Sequence, residues 1–567
     1  MLPRLRASAK KTIGLLERRT NETPGFVRNQ HKAELPPDAK ATPAATPKPP
    51  LPSTGASSSA SSSSSSFFSY WQSRSSIPKI ASLFGAGALG ALATGALIYS
   101  LGGKGDGGGD DTKKKKSKGE GESPFFNRSA EKEEFEKKLN NKPGAITVLI
   151  GPPSCGKSRF LKEVVDQLLL GQDPPPVIFI NSRLVQVDGP EEISKALCDG
   201  ITSQKNLLNV SKFPDLVQAI LEQVSGVAGV KTPVGDVSVN LAKLAEWFKK
   251  DEGNLTKTIE KLKIVFTSTA LLPRKPVIVI DEANMLMDWK EEDSKEKNLK
   301  HLLAFLVAIS KEANLVHVHV ATSDFFLVTW LKLKGLATNN FVIKVLGDLT
   351  EEEARGFFLG DGVKGTWAGI INVPSSPKPV PSGTEEHWPA IYERCGGNIG
   401  MLQQCVIEAR AQGNWKDALD IVVANSRSAI EQGFKPKVIP KRDELPDWFE
   451  DQWATVLQCL TTAPHHAVLR NELAKNLGKE DEERGDEIIL SMVKYNLLAL
   501  RPYSTLARDL PREVYGVDEE EVVTLPSPGH VWAAKRILLR RKSDADKAAA
   551  ELVENAKSKP KKYFGLL

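Results

Sequence analysis

Three short polar stretches in this chain carry residues whose types and spacing suit phosphate chemistry. The first is Gly151, Pro152, Pro153, Ser154, Cys155, Gly156, Lys157 and Ser158, followed by Arg159. It joins a continuous apolar run, Ala145 to Ile150, to RFLKEVVDQLLL, whose apolar residues recur at helical spacing. Buried strand, glycine-containing loop and helix thus follow in the order that cradles a phosphate. Gly151 and Gly156 permit the turn and a close backbone approach, and the amides at the new helix N-terminus point at a β-phosphate. Lys157 would place its ammonium between the β- and γ-phosphates, and the Ser158 hydroxyl would ligate Mg²⁺. The second stretch is Asp281-Glu282, at the end of the apolar run 277–280. On a strand beside the loop strand, Asp281 would hold the Mg²⁺ hydration shell and Glu282 would act as base on the attacking water. The third is Thr322-Ser323-Asp324, closing the strand-like run 315–324. Thr322 and Ser323 are placed to sense a γ-phosphate or orient the water. ATP and Mg²⁺ are the ligands this set implies.

These residues need a scaffold that brings strand ends together. With the further apolar run 175–183, the pattern predicts an α/β fold: a parallel sheet wrapped by helices, with ligand at the carboxyl ends of the strands. His317 and His319 fall on one face at period two and read as packing residues rather than ligands. A length of 567 residues predicts two to four domains. The formal net charge of +6 is small for that size and concentrated near the N-terminus, so it makes no whole-protein argument for nucleic acid. Cysteines 155, 198, 395, 405 and 459 have neither C-x-x-C nor metal-ligand spacing, which suits reduced thiols and excludes a disulfide framework.

The N-terminal region has a different character. The first twenty residues carry Arg4, Arg6, Lys10, Lys11, Arg18 and Arg19 against Glu17, and read as an organelle presequence rather than a merely disordered basic tail. Residues 33–66 are Pro-, Ala- and Ser-rich and predict a disordered linker. Residues 80–101 are uncharged and span roughly 30 Å as a helix, which predicts one transmembrane helix. Gly87, Ala91 and Gly95 recur every fourth residue; this either lets two such helices approach or only lowers hydrophobicity. A charged linker, 102–123, follows. The expected location is the mitochondrial inner membrane, single-pass, with a plastid membrane as the alternative.

Toward the C-terminus, WATVLQCLTTAP, LRNELAKNLG and DEIILSMVKYNLLAL give three amphipathic helices, then a strand-like VVTLPS and a helix VWAAKRILLR. Three helices and a hairpin suggest a winged-helix-like domain over 440–545, with a basic tail at 546–567. Lys535, Arg536, Arg540, Arg541 and Lys542 would allow phosphate contacts, but the acidic stretch 480–487 favours a regulatory or protein-contact module.

Taken together, these residues resemble the archaeal-type ATPases of the AAA+/STAND branch of P-loop NTPases. Phe126, Asn127 and Arg128, with Glu131 and Glu134, are similar to that group's element near the adenine, which makes Arg128 a nucleotide-binding candidate. GDLTEEEAR (347–355) looks like the start of a helical lid, and CGGNIGMLQQC (395–405) like the element that packs near the nucleotide. The resemblance implies an ATPase domain over 124–345 and a lid over 346–430. No arginine lies between Asp324 and Ile343, where ring-forming relatives carry finger arginines, which speaks against a hexameric unfoldase. Arg355, Arg394 and Arg410 remain candidates for that role, and a homo-oligomer stays open. The expected function is a membrane-anchored ATP-driven switch or weak ATPase with a regulatory or chaperone-like role and an unidentified protein client. The alternatives are a tethered nucleic-acid-handling ATPase and a non-hydrolysing nucleotide-binding scaffold.

Overall fold

Five strands whose side chains are mostly apolar on both faces can be buried only between two helical layers, and they assemble as a parallel sheet. The computed structural model describes residues 126–558, except 127, 172, 186, 203–236, 270–271, 290–292, 361–366, 373–377, 440–444 and 480. The strands are β1 (Ile146–Ile150), β2 (Val177–Asn181), β3 (Val277–Asp281), β4 (His317–Ala321) and β5 (Phe341–Val345), in the order β2-β3-β4-β1-β5 with every pairing parallel. The order corrects one expectation. The Asp281 strand is not beside the loop strand; β4 lies between them. The crossover from β1 to β2 skips two positions, which β3 and β4 then fill, so the end of β4 stands between the loop and Asp281-Glu282. The edge strand β5 was not anticipated: Val342 is exposed and Lys344 interrupts its apolar pattern.

Helix α1 (Ser129–Asn140) precedes β1, and α2 (Lys157–Leu169) follows it. Between β2 and β3 lie α3 (Pro190–Thr202), α4 (Val237–Lys249) and α5 (Leu255–Ser268); α6 (Asp293–Val307) follows β3 and α7 (Phe326–Leu333) follows β4. After β5 the chain is helical: α8 (Glu351–Leu359), α9 (Thr384–Cys395), α10 (Ile399–Gln412), α11 (Trp415–Val422) and α12 (Ala424–Gly433). The first of these is set by a capping box, Thr350 with Glu353, which satisfies two of its free amides.

The C-terminal elements are α13 (Glu450–Thr462), β6 (Ala467–Leu469), α14 (Arg470–Gly478), α15 (Glu482–Lys494), β7 (Ala499–Arg501), β8 (Val522–Thr524) and α16 (Pro528–Ser558). Their strands form a small antiparallel sheet, β6-β8-β7. Two details differ from the sequence reading. The run ending NLLAL does not continue the third helix: α15 stops at Lys494, Asn496 turns with φ 56°, and Ala499–Arg501 joins the sheet. The last helix runs past residue 545 to Ser558. The uncharged run 80–101, the presequence-like segment and both linkers lie outside the described residues. Among the described residues no helix is long and apolar enough to cross a membrane.

The histidines on β4 do pack, as expected. His319 is buried against Phe135 with ring centroids 4.7 Å apart, and His317 lies alongside it. Burial, with the Lys138 ammonium nearby, lowers His317 to about 4 and His319 well below its ordinary value. Both rings are therefore held neutral when folded but accept protons when unfolded. Stability from this pair is complete above about pH 6.5, the ordinary histidine value, and falls as pH drops toward 4. A His317→Asn/His319→Leu variant is expected to show a shallower fall in melting temperature from pH 7 to 5 than the parent. Equal slopes would contradict this account.

Candidate functional site

The phosphate loop closes the carboxyl end of β1. A Cβ at Gly151 would sit 2.2 Å from the Leu346 carbonyl oxygen, and Gly156, with φ +99°, is the N-cap of α2, so both positions require glycine. Ser154 also adopts a left-handed conformation, φ 62°, at the apex of the loop. The Lys157 ammonium is drawn into the loop, donating to the carbonyl oxygens of Gly151 at 2.9 Å and Pro152 at 2.8 Å. Cys155 is buried and donates to the Leu346 carbonyl oxygen; burial pushes its thiol up, so it stays protonated and serves as packing.

A cavity of about 750 Å³ opens over this loop. Of the residues singled out from sequence, Pro153, Ser154, Gly156, Lys157, Ser158, Arg159, Phe126, Arg128, Glu282, Ser323 and Asp324 line it. Gly151, Pro152, Cys155, Asp281 and Thr322 lie behind that wall, all buried. Arg128 is almost wholly buried and braces the loop, donating to the carbonyl oxygens of Cys155 at 2.8 Å and Gly347 at 2.9 Å. Phe126 meets Phe357 at 5.3 Å and Trp367 at 5.2 Å between centroids, and both phenylalanines face the cavity as an aromatic wall.

The carboxylates sit as a buried pair at the end of β3. Burial raises Asp281, against the opposing pull of the Ser158 hydroxyl, the Glu282 amide, and Lys157 and Arg183. Its Oδ2 is buried without a hydrogen-bond partner. That orphaned oxygen next to a serine hydroxyl is a hard-donor pair of the kind Mg²⁺ takes alongside phosphate oxygens and water. Among the described residues there is no cluster of three or more His, Cys, Asp or Glu side chains that could hold a metal unaided. Glu282 adopts φ 57°, an uncommon conformation for a side-chain-bearing residue. Burial raises it, Arg183 opposes this, and Asp281 adds to it. Arg183, on the turn after β2, pairs with it at 2.8 Å. Thr322 donates to Asn284 Oδ1 at 3.1 Å and accepts the Asp324 amide at 2.9 Å, so it positions Asn284, which faces the cavity.

Several lining residues were not found by sequence reasoning. Arg183 lies inside the run 175–183, where only the strand was read, and Asn284 follows Glu282 by two residues. Asn496, Leu498 and Pro526 come from the C-terminal elements, whereas Ile399, Gly400 and Gln403 of α10 belong to the 395–405 element already read from sequence. The element 395–405 packs at the loop as its resemblance implied. Asn398 donates to the Pro153 carbonyl oxygen at 2.9 Å, and the Gly400 amide to that of Ser154 at 3.1 Å. None of Arg355, Arg394 and Arg410 lines the cavity. Arg394 stacks over Trp532 and Arg410 donates to the Ile371 carbonyl oxygen. The basic face of α16 is likewise engaged within the chain: Arg540 pairs with Glu431, Arg541 with Glu450, and Arg536 lies over Trp532.

Comparison with known proteins reaches the stretch that holds the loop and the first four strands. Residues 125–338 match the model of an ATPase domain predominantly from Archaea. The matched stretch runs from just before α1 through β4 and α7. An uncharacterized ATP-binding protein of Methanocaldococcus jannaschii is 23% identical over 388 residues, 67% of this chain and 92% of that protein. A Pyrococcus abyssi protein of the same description is 24% identical over 261 residues, 45% of this chain and 70% of its own length. Among solved structures, the Walker-type ATPase of Pyrococcus abyssi aligns over 72% of this chain and 96% of its own, at 15% identity and a TM-score of 0.40. The Aeropyrum pernix ORC1 protein in complex with DNA aligns at 14% identity and a TM-score of 0.31, over 75% of this chain and 94% of its own.

Proposed function

We propose that this chain is an ATP-binding and ATP-hydrolysing switch in which the C-terminal module reads the nucleotide site. One observation carries the reading: Asn496, Leu498 and Pro526, from the small antiparallel sheet unit, line the same cavity as Lys157, Ser158 and Glu282. A ligand in that cavity therefore meets both the phosphate loop and the C-terminal module, so its presence or cleavage biases their docking. We read that module, with helices α13–α15, a three-stranded sheet and the terminal α16, as winged-helix-like.

Each residue has a defined task in this reading. Loop amides and Lys157 would bind the phosphates, Ser158 and Asp281 would hold Mg²⁺, and Arg128 and Asn398 keep the loop carbonyls in place. When bound, Mg²⁺ neutralises charge on the β- and γ-phosphates. Glu282 accepts the proton of the attacking water, while Asn284 and Ser323, with Thr322 behind them, orient that water. Phe126 and Phe357 offer the base an aromatic apolar wall. The uncharged run 80–101 supports a membrane tether, and the presequence-like start a mitochondrial inner-membrane location.

Hydrogen exchange on the full chain tests the switch. Saturating Mg·ATP is expected to slow amide exchange in residues 151–158 and, in parallel, in residues 496–509. Protection confined to the loop, with the C-terminal module unchanged, would contradict a shared site.

A further inference from the structure

Three charged residues of one C-terminal loop, Arg501, Arg508 and Asp509, connect to the phosphate loop by two separate routes. The first begins at Arg508, whose guanidinium donates to Glu131 Oε1 and Oε2 at 3.1 Å each and to Glu353 Oε1 at 2.6 Å. Glu131, itself buried, holds Arg128 at 3.2 Å, and Arg128 donates to the Cys155 carbonyl oxygen at 2.8 Å. The second begins at the bidentate pair of Arg501 with Asp509, at 2.9 and 2.7 Å. The Asp509 carboxylate packs on the backbone at Gly347, next to Asp348. Asp348 accepts from Asn398 at 3.0 Å, and the same amide group donates to the Pro153 carbonyl oxygen at 2.9 Å. The two routes end on the carbonyls either side of Ser154, the residue with left-handed backbone at the apex of the loop. Between them, Leu506 is buried in the same apolar cluster as Cys155 and Leu346.

We infer that Arg508 and Asp509 are positioning residues for the nucleotide site: docking of the 501–509 loop sets the phosphate-loop geometry through Glu131–Arg128 and Asp348–Asn398. The inference rests on the proposed ATP site and specifies how the C-terminal module would regulate it. A charge-assisted network that is half-buried at Arg508 and fully buried at Glu131 and Arg128 is costly to break, because removing the outer member strands the buried ones. Withdrawal of the loop leaves Glu131 and Arg128 without their outer partner and exposes Asp348 to solvent.

The second route also holds a carboxyl that titrates near neutrality. Burial, with Asp509 beside it, pushes Asp348 up to about 7, against Arg501, Arg128 and Asn398; Tyr392 also faces the pair. Deprotonation above that value sets two carboxylates against one another beside Gly347, with Arg501 as the neutralising charge.

Thr505 supplies an internal control. Its hydroxyl bonds Glu134 at 2.8 and 2.7 Å and accepts from Lys344 at 3.4 Å, so it belongs to the same docked loop but to neither route. Titration of the full chain with a fluorescent ATP analogue separates docking from relay. Arg508→Met is expected to weaken affinity on the order of tenfold, Arg508→Lys by less, and Thr505→Val by no more than about twofold. Asp348→Asn is expected to flatten the change in affinity between pH 6 and 8 that the parent shows. Parent-like affinity for Arg508→Met, or an equal loss for Thr505→Val, overturns the relay. Should Arg508→Met fail to fold, the Asp348→Asn profile decides: a pH dependence identical to the parent's overturns it. A parent chain that binds no nucleotide would instead overturn the proposed site.

Discussion

Replacing Glu282 by Gln is expected to leave Mg·ATP bound while slowing phosphate release at least tenfold, toward the 10²–10⁴-fold typical of losing a general base. The amide keeps the shape of the side chain and its place at the end of β3, so the cavity and the loop are undisturbed. It cannot take the proton of the attacking water. Glu282 suits that task because burial and the adjacent Asp281 raise its carboxyl, bringing its proton affinity closer to that of a base working near neutrality. Arg183 pulls the other way, and its 2.8 Å pairing with the carboxylate is one more interaction the variant weakens. Steady-state phosphate release that is unchanged in Glu282→Gln, with binding intact, would remove this residue from the mechanism. Loss of binding as well would mean that Glu282 shapes the site rather than acting in it.

The legible part of this site is its local part. The phosphate loop could be found because strand, loop and helix follow one another within a few residues, each with its own periodicity. Asp281 and Glu282 could be found because they end an unbroken apolar run. What the sequence did not disclose depends on which distant segments meet. The placement of β4 between β1 and β3 follows from strand order, and no run of residues states it. Asn284 gains its place from a bond to Thr322, thirty-eight positions away. Arg508 and Glu131 are 377 positions apart, and nothing near either one announces the other. The edge strand β5 escaped notice for a different reason: with one side exposed and Lys344 in its middle, its pattern is weaker than that of the central strands. In the C-terminal unit the apolar run NLLAL looked helical because its spacing fits a helix face. The left-handed turn at Asn496 breaks it, and that turn is what brings Asn496 and Leu498 to the cavity.

The domain match and the ATP-binding relatives agree with the α/β core but do not reach the chemistry, which rests on the loop. Lys157 is the residue through which to test it. Its ammonium is the loop's own cation, buried and held by two loop carbonyls, and no other loop residue from Gly151 to Ser158 carries a positive charge. Lys157→Ala removes that charge from the β- and γ-phosphates and also takes the ammonium from the Gly151 and Pro152 carbonyls, leaving Pro152 only the Cys155 amide. Both effects weaken binding, and charge-assisted contacts in a buried site are the strong ones. The most direct measurement is an equilibrium titration of the full chain and its Lys157→Ala variant with a fluorescent ATP analogue and Mg²⁺. The account predicts saturable binding by the parent and an affinity at least about tenfold weaker in the variant. Equal affinity in the two proteins would contradict the assignment of Gly151 to Ser158 as the nucleotide site.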